Sequence, residues 1–265
     1  MIARAAVGFA AAVMVAEAGR RAGGLTQRGA LAAVLVGTAA MAAGLAWGAT
    51  LVVFFVAGTA LSRLGAATKA QRTRAVLGTS GARDAGQVLA NGGVFAGCAL
   101  VWAQLDAPWV AAAALGALCG AFGDTAATEI GTWLGGAPRS IVTGRRVAPG
   151  MSGGVTLAGS VAAVVACLLF AALAAALLRL PGVGTAAFVG GLAGVAADSL
   201  LGATVQERWH CAGCNAVTER RVHDCGRATR RSDGLPGVTN DVVNAAASVT
   251  AAVVAAVAMH LAEAA

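Results

Sequence analysis

The chain has few charged residues and no tyrosine. Only 12% of its 265 residues are charged and 58% are hydrophobic, whereas about a quarter of the residues in a soluble globular domain are charged. This shortage of charge argues against a soluble domain. Several apolar runs also approach the ~20 residues that a transmembrane helix needs. Without tyrosine, an aromatic belt at the membrane interfaces must come from the five tryptophans. The composition therefore predicts an all-α polytopic membrane protein with a single integral membrane domain over residues 1–265.

Hydropathy predicts about eight transmembrane helices. They cover residues 5–18, 30–46, 48–62, 88–104, 109–134, 154–178, 183–206 and 237–262. The first apolar stretch could instead be a signal peptide, but residues 1–18 contain no clear cleavage site. A first helix that is retained is the expectation.

The basic residues predict the orientation of the chain. Seventeen of the 19 arginine and lysine residues fall in four loops, and only Arg4 and Arg179 lie on the other side. The four loops are 19–29, 63–87, 135–153 and 207–236. Since positive loops stay in the cytoplasm, both termini should face out. The net charge of +7 follows from this topology and does not argue for a nucleic-acid partner, although the loops could contact anionic membrane lipids.

Carboxylates within predicted spans mark a candidate site. Asp124 and Glu129 lie in the fifth span, Asp198 lies in the seventh, and Asp241 opens the eighth. One such carboxylate would be interpreted as a helix-packing residue, but three at one cytoplasmic depth indicate a functional site. Thr128 shares a helix face with Asp124, whereas Glu129 points elsewhere and ranks as a supporting residue. The amides at the same level are Asn91, Asn240 and Asn244.

Two segments of the chain resemble each other. "LGALCGAFGDT" (115–125) aligns with "VGGLAGVAADS" (189–199), which pairs Asp124 with Asp198 and Thr125 with Ser199. Upstream, "NGGVFAG" (91–97) resembles "SGGVTLAG" (152–159). Alanine- and glycine-rich helices align readily by chance, so the prediction depends on the matched acidic and hydroxyl residues. Both pairs of matching segments occur in the same order along the chain. This order predicts a parallel repeat of two helical hairpins that places both aspartates at one depth.

The loop "TGRRVAPGMSGGVT" (143–156) combines two arginines with a glycine-rich turn that opens a helix. Helix-start amides attract anions and arginine suits phosphate, so the loop is a candidate phosphate site. An ordinary positive-inside loop with a flexible turn is the alternative. The candidate residues are Arg145, Arg146, Ser152, Gly153 and Gly154. In "RDAGQVLANGG" (83–93), Arg83 and Gln87 would share a helix face if that stretch is helical.

Cysteines in the last basic loop suggest a metal site. "CAGC" (211–214) and "HDC" (223–225) supply a Cys₃His ligand set with C-x₂-C spacing. This set suits tetrahedral zinc, and a complete set suggests a structural clip of the 207–236 loop. Its members are Cys211, Cys214, His223 and Cys225, with His210 as a substitute.

Five motifs together resemble a known membrane family. "QVLANG", "GDTAATEIG", "PRSIVTGRRVAPGMSGGVTLAG", "DSLLGATVQ" and "TNDVVN" are similar to the family that includes the plant phytyl-phosphate kinases and the animal transmembrane protein nineteen. The resemblance extends from about residue 72 to 248. Where the family often has Trp, Ser and Asn, this chain has Ala126, Thr128 and Ser152. More distantly, the motifs resemble the CTP-dependent polyprenol kinases.

The resemblance implies that a nucleoside triphosphate, CTP or ATP, phosphorylates an isoprenoid monophosphate of the phytyl or geranylgeranyl type. Mg²⁺ would be held by Asp124, Asp198 and Asp241. Thr125, Ser199 and Asn240 would support these ligands. Arg145, Arg146 and the amides near Gly153 would bind the nucleotide phosphates, with the lipid tail between spans. A transporter of a small anion or a proton-coupled solute is the main alternative, and a membrane scaffold with a zinc-clipped loop is a third.

Overall fold

The computed structural model describes residues 2–77 and 81–264 of the chain. Within these residues the structure has nine α-helices. They are α1 (Ile2–Arg21), α2 (Gln27–Ala43), α3 (Leu45–Arg63), α4 (Ala66–Leu77), α5 (Ala85–Leu105), α6 (Pro108–Leu134), α7 (Leu157–Leu178), α8 (Val183–Thr204) and α9 (Asn240–Ala264).

The long helices confirm a polytopic helical membrane protein. Among the described residues, six helices are long and apolar enough to cross a membrane: α3, α5, α6, α7, α8 and α9. Helix α2 is apolar but has only 17 residues. Helices α1 and α2 occupy the first two predicted spans, and their crossing of the membrane stays a prediction.

Helix α6 forms the centre of the bundle and packs against α5, α7, α8 and α9. Alanine and glycine make up most of its buried surface. A Cβ added at Gly116 would lie 2.5 Å from the Ala255 Cβ of α9, so only glycine permits this approach. Small residues of this kind let helix backbones approach each other in lipid, where dispersion contacts replace the hydrophobic effect.

Helices α6 and α8 meet α9 at the same level. A Cβ added at Gly116 would lie 2.8 Å from the Ala251 carbonyl oxygen, and one at Gly190 would lie even closer to the same atom. Asp124 and Asp198 each lie eight residues beyond these glycines, on parallel helices, so they share one depth. This agrees with the alignment of the two segments. A repeat of whole hairpins stays a prediction.

Helix α4 lies within the predicted loop 63–87, across one end of the bundle. Lys69 is buried there, pairs with the Glu129 carboxylate and donates 2.9 Å to the Ser62 carbonyl of α3. Arg72 donates 2.7 Å to the Gly135 carbonyl that follows α6. The last carbonyls of a helix lack intrahelical partners and carry partial negative charge, so these cations stabilise two helix ends.

The other basic loops contain short antiparallel strands that the sequence analysis did not predict. Strands β1 (Arg139–Ser140) and β2 (Gly154–Val155) form one hairpin. Strands β3 (Arg208–Cys211), β4 (Ala216–Thr218) and β5 (Arg230–Asp233) form a sheet of order β4-β3-β5. The predicted loop 207–236 is therefore a small folded unit, named here the β-lobe.

The four basic loops lie at the same end of the bundle, named here the basic end. The Thr26 amide donates 3.0 Å to the Arg83 carbonyl and so joins the first loop to the second. Arg74 of α4 forms a 2.7 Å ion pair with Asp224 of the β-lobe. The Ser152 amide of the third loop donates 2.7 Å to a β-lobe carboxylate.

Candidate functional site

A small cavity lies between α5, α6, α8 and α9. Its polar lining residues come from all four helices, and its remaining wall is alanine and glycine. The polar residues, which define what is named here the acidic cavity, are Asn91, Asp124, Asp198, Asn244 and Ser248. The structure thus brings together four of the predicted site residues. Ser248 was not predicted, and its hydroxyl donates 3.0 Å to the Ala90 carbonyl, which joins α9 to α5 beside Asn91.

The acidic cavity lies nearer the basic end than the opposite end. Asp198 is six residues before the end of α8 at Thr204, and Asn244 is four residues after the start of α9 at Asn240. At a rise of 1.5 Å per residue, these positions lie about 9 Å and about 6 Å inside the bundle. Water and polar ligands at the basic end therefore have a short path to the cavity.

The two carboxylates of the acidic cavity have no basic partner. Asp124 and Asp198 are half-buried, and their charges are close enough to interact. Among the described residues neither forms an ion pair, and no lysine, arginine or histidine lines the cavity. Two neighbouring carboxylates in a low-dielectric site require a cation or a proton. Carboxylate and amide oxygens are also the ligands that Mg²⁺ accepts.

An apolar groove lies beside the acidic cavity, between α1, α2, α3 and α5. Most of its lining is alanine, valine, leucine and phenylalanine. Four predicted site residues with polar side chains also line it: Arg83, Gln87, Asn91 and Thr125. Asn91 lines both spaces, so the groove and the cavity meet at this side chain.

Arg83 gives the apolar groove a half-buried cation. Its Nη1 donates 3.2 Å to the Thr59 hydroxyl, and its guanidinium lies 5.9 Å from the centre of the Phe55 ring. Burial lowers the pKa of Arg83, and the charge of Glu129 opposes that shift. Among the described residues no carboxylate lies within ion-pair distance of Arg83. An anionic group in the groove would therefore find an uncommitted guanidinium.

Gln87 is already part of a helix cap. The Gln87 backbone amide donates 3.0 Å to Asp84 Oδ1, while the Gln87 side-chain oxygen accepts from the Asp84 backbone amide. This capping box fixes the start of α5 and, with it, the place of Arg83 four residues earlier.

Other predicted residues lie outside the acidic cavity. The Asp241 carboxylate lies nearer the basic end, against Gly86 at the start of α5. Thr125 faces the apolar groove, and its hydroxyl donates 2.8 Å to the Ala121 carbonyl of its own helix. The remaining residues that do not line the cavity are Thr128, Ser199 and Asn240.

The glycine-rich turn is filled by a carboxylate of the protein itself. The Ser152 amide donates 2.7 Å to Glu219 Oε1, and the Gln206 amide group donates 2.9 Å to the Ser152 hydroxyl. Gly153 has φ of +75° and packs directly against α8, and Gly154 belongs to β2. In this structure the group that accepts from the turn is therefore the Glu219 carboxylate, and phosphate binding there stays a prediction.

Glu219 also lies in this region, although its sequence context did not predict it. Burial raises the pKa of Glu219, while hydrogen bonds from Ser152 and the charge of Arg208 oppose the shift. Its charge also interacts with Asp198, so the β-lobe lies close to the acidic cavity. No local motif marks this residue, because its partners are 67 positions away at Ser152 and 21 positions away at Asp198.

Arg145 and Arg146 are exposed at the basic end. The Arg145 carbonyl accepts a 2.9 Å hydrogen bond from the Ser140 amide, and Arg146 pairs with Arg139 through the backbone. Their backbone is therefore fixed in the β1–β2 hairpin while both guanidinium groups face solvent.

The four predicted zinc ligands cluster in the β-lobe. The ligand atoms of Cys211, Cys214, His223 and Cys225 all lie within 4.8 Å of one another. Cys211 and His223 are buried, whereas Cys214 and Cys225 are exposed.

Comparison with known proteins gives the family. The sequence profile of integral membrane protein DUF92 matches residues 10–252, which include every residue of the acidic cavity. The chain belongs to this family. Protein PGR of Arabidopsis thaliana, a similar protein, is 32% identical over 243 residues, which cover 82% of each chain. No solved structure matches the chain. The DUF92 match confirms the family resemblance that the five motifs indicated.

Proposed function

We propose that this DUF92 protein transfers a phosphoryl group from a nucleoside triphosphate to an isoprenoid monophosphate at the membrane surface. An oxygen of the lipid phosphate would form a bond to the γ-phosphorus, and the bond from that phosphorus to the β–γ bridging oxygen would break. The products are a lipid diphosphate and a nucleoside diphosphate.

The observation that carries the proposal is the meeting of the apolar groove and the acidic cavity at Asn91. A lipid tail fits the apolar lining, and Arg83 offers a half-buried cation to the phosphate of the same molecule. The reacting phosphate would then lie next to Asp124 and Asp198. A substrate that is apolar at one end and doubly charged at the other fits both spaces at once.

The donor set of the acidic cavity fits Mg²⁺. Asp124 and Asp198 would hold the ion, with Asn91 and Asn244 as neutral oxygen donors, and Asp241 would lie toward the basic end. When bound, Mg²⁺ neutralises charge on the transferring phosphoryl group. The carboxylates alone would repel an anionic substrate, so the ion and the two aspartates are required together.

The acceptor needs no general base. A phosphate monoester has a second pKa near 6, so it is largely ionised at neutral pH and can attack without losing a proton. None of the three histidines lines either the acidic cavity or the apolar groove. An alcohol acceptor would need a base, and the carboxylates of the acidic cavity are assigned to the ion, which favours the phosphate acceptor.

The nucleotide would bind from the basic end, which the positive-inside rule assigns to the cytoplasm. We assign its phosphates to the exposed guanidinium groups of Arg145 and Arg146. The Ser152 amide, which belongs to the predicted phosphate site, already donates to Glu219. Binding at the turn would therefore require Glu219 to move away.

The test is an assay of purified protein in lipid nanodiscs with γ-labelled CTP or ATP, Mg²⁺ and phytyl or geranylgeranyl monophosphate. Label should appear in the lipid diphosphate. Asp124→Asn and Asp198→Asn should each lower kcat by at least about 100-fold, the usual size of a lost electrostatic contact to a transition state. Asp106→Asn is the matched control, because Asp106 is exposed and its φ of 48° is tolerated by asparagine.

Failure of every isoprenoid monophosphate to accept label would contradict the proposal. Full activity of either cavity variant would remove that aspartate from the ion site. Folding of each variant is checked by its elution from size-exclusion chromatography and its thermal midpoint.

The unpaired carboxylates also suit a second function, a proton-coupled transporter. Protonation would then neutralise Asp124 and Asp198 in place of Mg²⁺. Uptake of a solute into proteoliposomes that follows an imposed pH gradient, without any label transfer, would favour this function over the kinase.

A further inference from the structure

The β-lobe has too small an apolar core to fold by hydrophobic burial alone. It comprises about 30 residues, and small units of this size usually need a metal or a disulfide. Three of its apolar side chains, those of Val217, Val222 and Leu235, are between 42% and 55% exposed. Something other than burial of apolar surface must hold the β-lobe together.

We propose that the β-lobe binds one zinc ion through Cys211, Cys214, His223 and Cys225, and that this ion holds Glu219 on the Ser152 turn. The site is separate from the acidic cavity and does not depend on the transfer reaction.

The geometry of the cluster matches tetrahedral zinc. With Zn–S bonds near 2.3 Å, two sulfurs of one tetrahedron lie about 3.8 Å apart, and the Cys211 and Cys225 sulfurs are 3.7 Å apart. The His223 Nδ1 atom lies 3.3 Å from the Cys225 sulfur, close to the roughly 3.5 Å expected for a nitrogen and a sulfur on one ion. All four ligand atoms lie within 4.8 Å of one another, so small side-chain rotations would bring them around a single ion.

The ligands enclose a segment that contacts the bundle. Between Cys214 and His223, the Thr218 hydroxyl donates 2.6 Å to the Val76 carbonyl of α4. The next residue, Glu219, accepts the hydrogen bond from the Ser152 amide. Fixing both ends of this segment fixes where the Glu219 carboxylate lies.

Metal content is the first measurement. The full-length protein, purified in detergent without chelator, should contain one zinc per chain by elemental analysis. Cys214→Ser and His223→Ala should lose most of the metal. Cys98→Ser and His260→Ala, which change the same residue types in α5 and α9, should keep it.

Replacement of the metal by Co²⁺ tests the site in the unaltered protein, so the test does not depend on variants that fold poorly. Co²⁺ in the full-length protein should give the visible bands of a tetrahedral site with three thiolates, and the conservative variant Cys214→His should shift them without abolishing binding. A folded protein that contains neither zinc nor a Co²⁺ signal would overturn the site. A disulfide between Cys211 and Cys225 in the native protein, found by mass spectrometry, would overturn it as well.

Hydrogen exchange tests the second half of the proposal. Removing the metal with a chelator should speed exchange of the Ser152 amide at least tenfold. The Gly159 amide, which donates 3.0 Å to Thr156 at the start of α7, should not change. Unchanged protection of Ser152 in metal-free protein would show that the ion does not hold Glu219 in place.

Discussion

Arg83 is the side chain that most directly connects the structure to the proposed lipid phosphate. It is half-buried beside the apolar groove and lacks a carboxylate partner among the described residues. Arg83→Gln should raise the KM for the lipid monophosphate about 10- to 100-fold, since a hydrogen bond to a charged group contributes about 1.5–3 kcal/mol. The KM for the nucleotide should stay the same. Steady-state kinetics with each substrate varied in turn measures both values.

Arg28→Gln is the control, because Arg28 is exposed at the same basic end. It should leave both KM values unchanged. Equal increases for the lipid and the nucleotide in Arg83→Gln would contradict a role in holding the lipid phosphate.

Glu129 is tied to Lys69 rather than to the acidic cavity. The Lys69 side chain is only 9% exposed, so Glu129→Gln would leave a buried ammonium without its counter-charge. We expect a loss of about 3 kcal/mol in the free energy of unfolding, in the range for broken buried ion pairs. Thermal unfolding in detergent measures the effect.

The double variant Lys69→Met, Glu129→Gln should recover part of that loss, since no charge remains buried. Glu17→Gln breaks an exposed pair with Arg20 and should change the midpoint little. If Glu129→Gln melts no earlier than Glu17→Gln, the buried pair does not stabilise the fold.

At the level of single residues, the sequence predicted those site residues that stand out from their immediate neighbours. Asp124 and Asp198 stand out because charge is rare in an apolar span, and the structure places both at one cavity. The contact between Glu219 and Ser152 joins residues 67 positions apart, and no local pattern indicates such pairs.

At the scale of elements, the packing of α6 and α8 against α9 sets the distance between Asp124 and Asp198. At Gly190 an added Cβ would lie 2.6 Å from the Ala255 Cβ and closer still to the Ala251 carbonyl. Gly190→Ala should therefore push α8 from α9 and lower the free energy of unfolding by about 1–3 kcal/mol, the usual cost of overpacking. Activity should fall as well, because Asp198 lies two turns further along α8.

Gly97→Ala is the matched control in α5, where an added Cβ meets nothing within 4 Å. It should keep activity and leave stability equal or slightly higher, since alanine favours helix over glycine by up to about 1 kcal/mol. Thermal midpoints and kcat are measured for both. A Gly190→Ala protein as stable and active as Gly97→Ala would show that the close contact is dispensable.

Among the elements, the apolar helices were predictable and the polar ones were not. Long hydrophobic runs located α5 to α9, because lipid requires each spanning segment to satisfy its own backbone. Helix α4 is polar, and its place depends on Lys69 and Arg72 reaching carbonyls of α3 and α6. The strands of the β-lobe likewise depend on contacts within a short loop, which hydropathy does not detect.

The whole molecule has an asymmetry of charge that predicts its orientation. The four loops at the basic end hold 17 of the 19 basic residues, so this end should face the cytoplasm. In intact cells, a membrane-impermeant maleimide should label Glu263→Cys, near the end of α9. It should label Ser232→Cys of the β-lobe only after permeabilisation.

The parent protein is the control for background labelling of its native cysteines. Labelling of Ser232→Cys in intact cells would reverse the orientation. The nucleotide would then have to bind from the outer side, and the kinase proposal would fail with it.

Helix α9 completes the acidic cavity, and it leaves the ribosome after both helices that carry the aspartates. Until α9 is inserted, Asp124 and Asp198 lack the wall that contains Asn244 and Ser248 and separates them from lipid. Insertion of α9 is therefore the step that separates the two aspartate side chains from lipid. A chain released before residue 240 should be retained by the insertion machinery or degraded, even though all its other long apolar helices are complete.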